Sequence, residues 1–225
     1  MKYVHGIFVV NRPDLLERAV ASVECLWPDA FILDSSPGGQ IGTERAWPIP
    51  VVRPSVPLSF PQTVNFLHRI AWEKGADVFG FQHNDAEAAE NAAEQYFKIV
   101  GEAFASGRKW AAVFTNYDII SAYDMRAFEV IGEWDTDFPQ PNYTIDVDWY
   151  HRARLHGYEL IESGVPVTHH NDASSTIKSD AHRRAAQRGE IRDECSLLPP
   201  QMGRATGRGK ICFGVESLGG GFGLG

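Results

Sequence analysis

The sequence has few cysteines, and none of them lie close together. Its 225 residues include three, Cys25, Cys195 and Cys212. An odd number of cysteines without a Cys-x-x-Cys pair argues against a disulfide framework and against a zinc knuckle. Reduced cysteines are typical of the cytoplasm, so we expect a cytoplasmic protein.

Long apolar runs are also absent. No segment reaches the ~18–20 apolar residues that a membrane-spanning helix requires, so no membrane span is expected. The apolar run near the start is interrupted by His5 and Gly6, and no small-residue cleavage site follows it. These features argue against a signal peptide.

Positive charge is scarce, since 21 Lys and Arg residues stand against 29 Asp and Glu residues and the net charge is −8. This balance argues against charge-driven binding to nucleic acid or to an anionic membrane. Nucleic acid as the acceptor in an enzymatic reaction is not excluded, because an acidic enzyme can still have a basic pocket. Hydrophobic residues make up 44% and charged residues 22%, as in an ordinary globular domain with a sizeable core.

Strands and helices alternate along the chain. Tyr3–Val10 is β-rich, a helical pattern follows Pro13, and Ala30–Leu33 is a second apolar run that ends in a turn cluster. A strand, a helix and a strand within about 35 residues indicate a βαβ unit. We therefore predict an α/β fold: a single domain with a mostly parallel, Rossmann-like central sheet flanked by helices. Further strands are predicted at Val51–Arg53, Asp77–Gln82, Ala111–Thr115 and Val165–Thr168, and further helices at Gln62–Lys74, Asp85–Ser106, Met125–Ile131 and Thr144–His156.

The composition changes near the C-terminus, where a charged segment gives way to Gly-rich sequence. We expect the folded domain to span residues 1–178. Residues 179–225 are predicted to form a C-terminal helix and a flexible Gly-rich tail.

Polar side chains follow several predicted strands. In open parallel sheets, ligands bind beyond the carboxyl ends of the strands, so these residues are the candidate site. The first strand is followed by Asn11 and Arg12, the second by Asp34 and Ser36, the fourth by His83, Asn84 and Asp85, and the last by His169 and His170.

Asp85 has two interpretations. A carboxylate at a strand end suits a hard cation that bridges diphosphate oxygens. Alternatively, Asn84 and Glu87 form a capping pair at the start of the long helix. Asp34 is similarly open, because it can accept from a nucleoside or simply form an Asx turn with the serines after it.

Asp146 and Asp148 lie near the start of a predicted helix, with Asp146 in its first turn. Asp148 stands four residues before Arg152, which indicates an i,i+4 ion pair. Asp146 has no cation at that spacing and is the better candidate for a carboxylate that takes a proton. Its alternative role is to complement the helix dipole.

His169 can complete a metal shell as a neutral imidazole, which suits manganese or zinc better than magnesium. Which of His169 and His170 is the ligand stays open. The aromatic residues near Asp146 include Trp134 and Trp149, which can offer an acceptor platform in a mostly apolar cleft.

Taken in order, these features resemble the GT-A glycosyltransferases, especially the large family 2, over roughly residues 3–176. The matching elements are a strand followed by Asn11-Arg12, a strand ending in Asp34-Ser35-Ser36, a helix with Asn65 before Gly75, His83-Asn84-Asp85 at the Asp-x-Asp position, Gly132-Glu133-Trp134-Asp135, Ile145-Asp146-Val147-Asp148 with Arg152, Gly157-Tyr158, and Val167-Thr168-His169 with Ser174.

The resemblance implies an inverting, metal-dependent transferase that uses a UDP- or GDP-sugar donor. Asp85 and His169 would hold Mn²⁺ or Mg²⁺ on the diphosphate, and Asp146 would deprotonate the acceptor hydroxyl. The acceptor itself is unknown. The donor site would comprise Asn11, Arg12, Asp34, Ser36, Asn65 and Asn84, and the acceptor site Trp134, Asp135 and Trp149.

The chain departs from the family pattern at three positions. His83 replaces the first acid of Asp-x-Asp, Ile145 replaces the acid before Asp146, and Val64 stands where an Arg often precedes Asn65. A non-catalytic nucleotide-sugar-binding relative is therefore the main alternative. A nucleotidyltransferase and a His/Asp metallohydrolase are further alternatives, although the first strand lacks the Gly-rich basic loop that a triphosphate requires.

Overall fold

The computed structural model describes residues 1–37, 41, 46–137 and 145–170. The predicted C-terminal helix and tail, the proposed boundary at residue 178, and Ser174 lie outside the described residues. None of the helices within the described part is long and apolar enough to cross a membrane.

Nine strands and five α-helices alternate along the described chain. Their order is β1 (Tyr3–Val9), α1 (Pro13–Ala21), β2 (Ala30–Asp34), β3 (Val51–Val52), α2 (Phe60–Glu73), β4 (Val78–His83), β5 (Ala86–Ala88), α3 (Ala92–Ala105), β6 (Trp110–Phe114), β7 (Ile120–Asp124), α4 (Met125–Ile131), α5 (Ile145–Leu155), β8 (Glu159–Glu162) and β9 (Val167–His169).

Seven strands form the central sheet in the order β3-β2-β1-β4-β7-β6-β8. All neighbouring pairs are parallel except the two that involve β7, which runs antiparallel to β4 and β6. The predicted mostly parallel α/β sheet is confirmed. The carboxyl ends of β1, β2, β4 and β6 therefore meet at one edge of the sheet.

Helices cover both faces of this sheet. The strands alternate their side chains between the faces, so Ile7 and Val9 pack with α1 and α3 while Val4 and Phe8 pack with α2, α4 and α5. β1 is buried along its whole length, as expected of a central strand.

Close packing within the sheet requires a glycine at position 80. A Cβ atom there would lie 2.1 Å from the hydroxyl of Tyr3 and 2.7 Å from the carbonyl oxygen of Ser121. Gly80 thus lets β4 lie between β1 and β7 with the Tyr3 side chain packed across it.

Two sequence predictions, the start of the long helix and the sheet that contains the last strand, were wrong. The long helix begins at Ala92 rather than at Asp85, because 86–88 forms a short strand first. The last predicted strand, β9, pairs with β5 in a separate two-stranded sheet rather than with the central sheet. β7 and β8 were not predicted.

Candidate functional site

The pairing of β5 with β9 brings two distant parts of the chain together beside the end of β4. The ladder places Ala86 opposite His169. The backbone N–H of His170 donates to the carbonyl of Asp85 over 2.8 Å. This register sets the His169 side chain beside the Asp85 carboxylate, and His83 approaches from the last position of β4.

Three potential metal ligands meet at this point. One ligand atom from each of His83, Asp85 and His169 lies within 4.8 Å of the others. His169 Nε2 is 3.2 Å from Asp85 Oδ1. The Nε2 atom of His83 is buried and has no hydrogen-bond partner among the described residues, and the Nε2 atom of His169 is buried against the Asp85 carboxylate. Two imidazole nitrogens beside one carboxylate form a donor set that fits a divalent cation.

The protonation states also favour a cation. Burial lowers the pKa of His83 to about 4, so its imidazole is neutral at physiological pH. Burial acts to raise the pKa of Asp85, but the adjacent imidazoles of His169 and His83 outweigh it, and the pKa lies below its ordinary value. A neutral imidazole and an ionised carboxylate are the forms that bind metals.

His170 points away from this cluster. Its Nε2 lies 2.6 Å from Oε2 of Glu87, whose side chain projects from β5. His170 follows the end of β9 and bonds to Glu87, so His169 is the histidine of this pair that faces Asp85. Glu87 is thus engaged with His170 and does not cap a helix with Asn84, which is buried beside the cluster.

A second polar group lies at the ends of β1 and β2. Asp34 accepts from the backbone N–H of Ser36 over 3.0 Å and from Nε of Arg53 over 3.0 Å. The Ser36 hydroxyl accepts from the N–H of Asn11 over 2.9 Å. The structure therefore contains the Asx turn, and it joins three predicted donor-site residues. Arg53 was missed, although its place directly after β3 is the signal that could have identified it.

Arg12 follows β1, at the same edge of the sheet as His83, Asp85 and His169, which we call the metal-ligand cluster because they could together hold a metal ion. Its guanidinium pairs with Asp14, with Nη2 2.6 Å from Oδ2. That hydrogen bond raises the pKa of Arg12 against the opposing effect of desolvation, and the charges of Asp14 and Asp85 raise it further.

Asp146 lies in the first turn of α5 and is partly exposed. Its surroundings desolvate the carboxyl and raise the pKa to about 6, against the opposing effect of backbone N–H groups at the helix start. Asp148, in contrast, pairs with Arg152 at 3.0 Å, as the i,i+4 spacing predicted. Asp146 is the carboxyl of this turn that is poised to exchange a proton near neutral pH.

A buried carboxyl that interacts with Asp146 was not predicted from the sequence. Asp118, between β6 and β7, accepts hydrogen bonds from the hydroxyls of Ser121, Tyr123 and Tyr150. Burial raises its pKa well above the ordinary value, and the charge of Asp146 raises it further. The Asp118 carboxyl therefore interacts electrostatically with Asp146 and contacts the same helix, α5, through Tyr150.

Three predicted binding residues lie in the core instead. The Asn65 side chain makes two hydrogen bonds with the backbone of Trp134. It accepts from the N–H and donates to the carbonyl, each over 2.9 Å. The Trp149 indole N–H donates to the carbonyl of Gly132 over 2.9 Å. Both tryptophan rings are buried and present no face to an acceptor, whereas Asp135 is exposed.

Replacing Asn65 with alanine is expected to destabilise the fold. The change leaves the buried N–H and carbonyl of Trp134 without partners, at a cost of about 1–3 kcal/mol each in the free energy of unfolding. Urea unfolding measures this loss. The exposed Gln95 on α3 offers a control, since its replacement with alanine should change the stability by less than about 0.5 kcal/mol. Equal stability of the two variants would show that the hydrogen bonds from Asn65 to the Trp134 backbone do not stabilise the fold.

The chain was compared with known proteins. No protein-family model and no curated protein sequence matches it. Solved structures do match. A mannosyltransferase from Pyrobaculum calidifontis, in complex with GDP-Man and Mn²⁺, aligns with 72% of this chain at 14% identity and a TM-score of 0.54. GalNAc-T7, with UDP, GalNAc and Mn²⁺, aligns with 75% at 12% identity and a TM-score of 0.57.

A cytidylyltransferase from Leptospira borgpetersenii serovar Hardjo-bovis aligns with 89% of this chain and 98% of its own, at 10% identity and a TM-score of 0.51. The chain covers 54% of the mannosyltransferase and 43% of GalNAc-T7, about half the length of each. At these identities the likeness concerns the fold. The protein has a GT-A-like fold, as the sequence motifs predicted.

Proposed function

We propose that the protein transfers a sugar from a nucleotide diphosphate donor to an acceptor hydroxyl, with a divalent cation held by His83, Asp85 and His169. The observation that carries this proposal is the convergence of these three side chains at the carboxyl end of β4 in a GT-A-like sheet. The two Mn²⁺-containing glycosyltransferases of similar fold support the choice of cofactor and of a GDP- or UDP-linked donor.

The cation would neutralise the charge that develops on the leaving diphosphate. A set of two imidazoles and one carboxylate suits Mn²⁺ better than Mg²⁺. Arg12 adds a fixed positive charge on the same side, and the turn formed by Asn11, Asp34 and Ser36 lies at the neighbouring strand ends, where a nucleoside would be held.

Asp146 is the proposed base. It would take the proton of the acceptor hydroxyl while that oxygen bonds to the anomeric carbon. The bond from this carbon to the diphosphate breaks in the same step, and the nucleoside diphosphate leaves. Displacement from the opposite face inverts the configuration, which ¹H NMR of the product would report.

The transfer rate is expected to depend on pH through Asp146. A base must be ionised, so with a pKa of about 6 the rate should be constant above pH 7. Below the pKa it should fall about tenfold per pH unit. Initial rates measured between pH 5 and 8 test this. Donor binding over the same range is the control and should change much less, because the base contacts the acceptor. A rate that rises on acidification would contradict the assignment.

The overall proposal is tested by incubating the protein with a panel of UDP- and GDP-sugars and Mn²⁺. Slow hydrolysis of the correct donor should release the nucleoside diphosphate, and chelation of the metal should stop the release. Absence of both release and binding across the panel would refute the transferase.

Two other functions predict different results in that assay. A non-catalytic relative, favoured by the replacement of the first Asp-x-Asp acid with His83, would bind donor without releasing nucleotide. A nucleotidyltransferase, favoured by the fold of the cytidylyltransferase, would release pyrophosphate from a nucleoside triphosphate. Adding CTP and a pyrophosphate readout to the panel separates these outcomes.

A further inference from the structure

Asp118 lies at the same edge of the sheet as the metal-ligand cluster. It ends the short turn Asn116–Asp118 between β6 and β7. β7 pairs with β4, and the N–H of His83 donates to the carbonyl of Ile119 over 3.0 Å. Asp118 therefore directly precedes a residue that bonds to the last position of β4, and its own carboxyl contacts Tyr150 of α5.

The Asp118 carboxyl is the centre of a buried hydroxyl network. Oδ1 accepts from Tyr150 and Ser121, and Oδ2 accepts from Tyr123 over 3.4 Å. The hydroxyls of Tyr123 and Tyr150 are 3.3 Å apart. All four residues are buried, so this network links the turn to both β7 and α5 without competition from water.

Tyr150 connects the network to the proposed base. It stands four residues after Asp146 on α5, so both side chains lie on one face of the helix. The bond from Tyr150 to Asp118 therefore fixes the rotation of α5 at the turn that carries Asp146.

The titratable groups around Asp118 come from three elements. Asp146 and Tyr150 belong to α5, Tyr123 to β7 and Tyr96 to α3. Besides burial, the charge of Asp118 raises the pKa of all three tyrosines. Burial raises the pKa of each of these three tyrosines well above its ordinary value, so all are neutral when Asp146 titrates.

We propose that Asp118 is a positioning residue for the reaction: through the Tyr150 hydroxyl it holds the first turns of α5 and so keeps the Asp146 side chain in place. Asp118 itself contacts neither donor nor acceptor. The assignment of Asp146 as the base rests on the function proposed above, whereas the tether between Asp118 and Asp146 does not.

The tether is tested without any substrate by following Asp146 directly. In protein labelled with ¹³C-aspartate, the carboxyl signal that Asp146→Asn removes belongs to this residue, and its titration should have a midpoint of about 6. Tyr150→Phe and Asp118→Ala remove the tether and let the first turn of α5 move, which should hydrate the partly exposed Asp146 carboxyl further and lower the midpoint by roughly one pH unit towards the ordinary value.

Two variants separate positioning from simple loss of stability. Asp118→Asn keeps an acceptor for the Tyr150 hydroxyl, so the Asp146 midpoint should stay at its wild-type value. Tyr96→Phe removes a comparable buried tyrosine bond, donated to the carbonyl of Val113 over 2.7 Å, and should leave the midpoint unchanged. If Asp118→Ala does not fold, Tyr150→Phe carries the test alone.

Activity then gives the second readout. Tyr150→Phe should lower kcat about tenfold, shift the acid limb of the pH profile with the NMR midpoint, and leave KM for the donor unchanged. An unmoved Asp146 midpoint in Tyr150→Phe would overturn the tether. A moved midpoint in a protein without transferase activity would leave the tether standing and refute the proposed function instead.

Discussion

Replacing Asp85 with alanine is expected to weaken Mn²⁺-dependent nucleotide binding by at least about 100-fold. Asp85 supplies the only negative charge among the three clustered ligands, since His83 and His169 bind metals as neutral imidazoles. Two imidazoles alone leave the cation with less charge compensation and a lower ligand count. Calorimetric titration of UDP or GDP with and without Mn²⁺ measures the loss.

Glu87 provides the matched control for this experiment. It lies two residues from Asp85, carries the same charge and pairs with His170 instead of the cluster. Glu87→Gln should therefore retain metal-dependent binding within about threefold, because the Glu87 side chain bonds to His170 and not to a residue of the cluster. Equal losses in Asp85→Ala and Glu87→Gln would indicate a general effect of acidic charge and would contradict a site centred on Asp85.

Replacing Asp146 with asparagine is expected to lower kcat by about 10²–10⁴-fold while the affinity for the donor stays the same. Asparagine has the same shape but cannot take a proton from the acceptor. The acid limb of the pH profile should disappear with the activity. Measurement of kcat and of donor affinity on the same preparation distinguishes loss of the base from loss of the fold.

Asp148→Asn is the control variant for the base. Asp148 lies two residues further along α5, and its carboxylate is occupied by Arg152 at 3.0 Å. Losing this partly exposed pair should cost little stability and should change kcat by less than about fivefold. Transfer that survives Asp146→Asn in a folded protein would show that another group accepts the proton.

The strands that deliver the site were predictable because each is a short, mainly apolar run followed by polar residues. This pattern identified β1, β2 and β4 to within about one residue. β7 and β8 escaped because neither is such a run: β7 follows a tight turn and contains Ser121 and Asp124, and β8 is partly exposed with Glu at both ends.

The start of α3 illustrates a conflict between local and long-range interactions. Ala86–Ala88 has helical propensity, and Asn84 with Glu87 has the spacing of a cap. Pairing with Val167–His169 nevertheless holds the segment as β5. Local sequence patterns cannot predict pairing with a strand that lies about 80 residues further along the chain.

Side-chain direction was the least predictable part of the candidate site. Asn65, Trp134 and Trp149 have residue types suited to binding, yet all three side chains point into the core, where those of Asn65 and Trp149 bond to the backbone. Asp118 shows the reverse, because nothing in its sequence context marks a carboxyl that tertiary packing surrounds with hydroxyls. A residue type states what chemistry is available, whereas the packing determines where it is directed.

The small β5–β9 ladder has a consequence for local stability. Two three-residue strands form only a marginal ladder in water, so their amides should open and exchange with solvent deuterium faster than those of the central sheet. A cation bound by His83, Asp85 and His169 would fasten this ladder to β4. At 100 times its dissociation constant, Mn²⁺ should slow exchange in residues 86–88 and 167–170 by up to about 100-fold.

Hydrogen–deuterium exchange followed by mass spectrometry would detect this protection, with β8 as the internal reference that the ion does not touch. Unchanged exchange in the ladder at saturating Mn²⁺ would contradict it. Slower exchange would show that the ion has two effects: it would serve the reaction and would also stabilise the β5–β9 ladder. The local stability of this edge of the protein would thus depend on the availability of the metal.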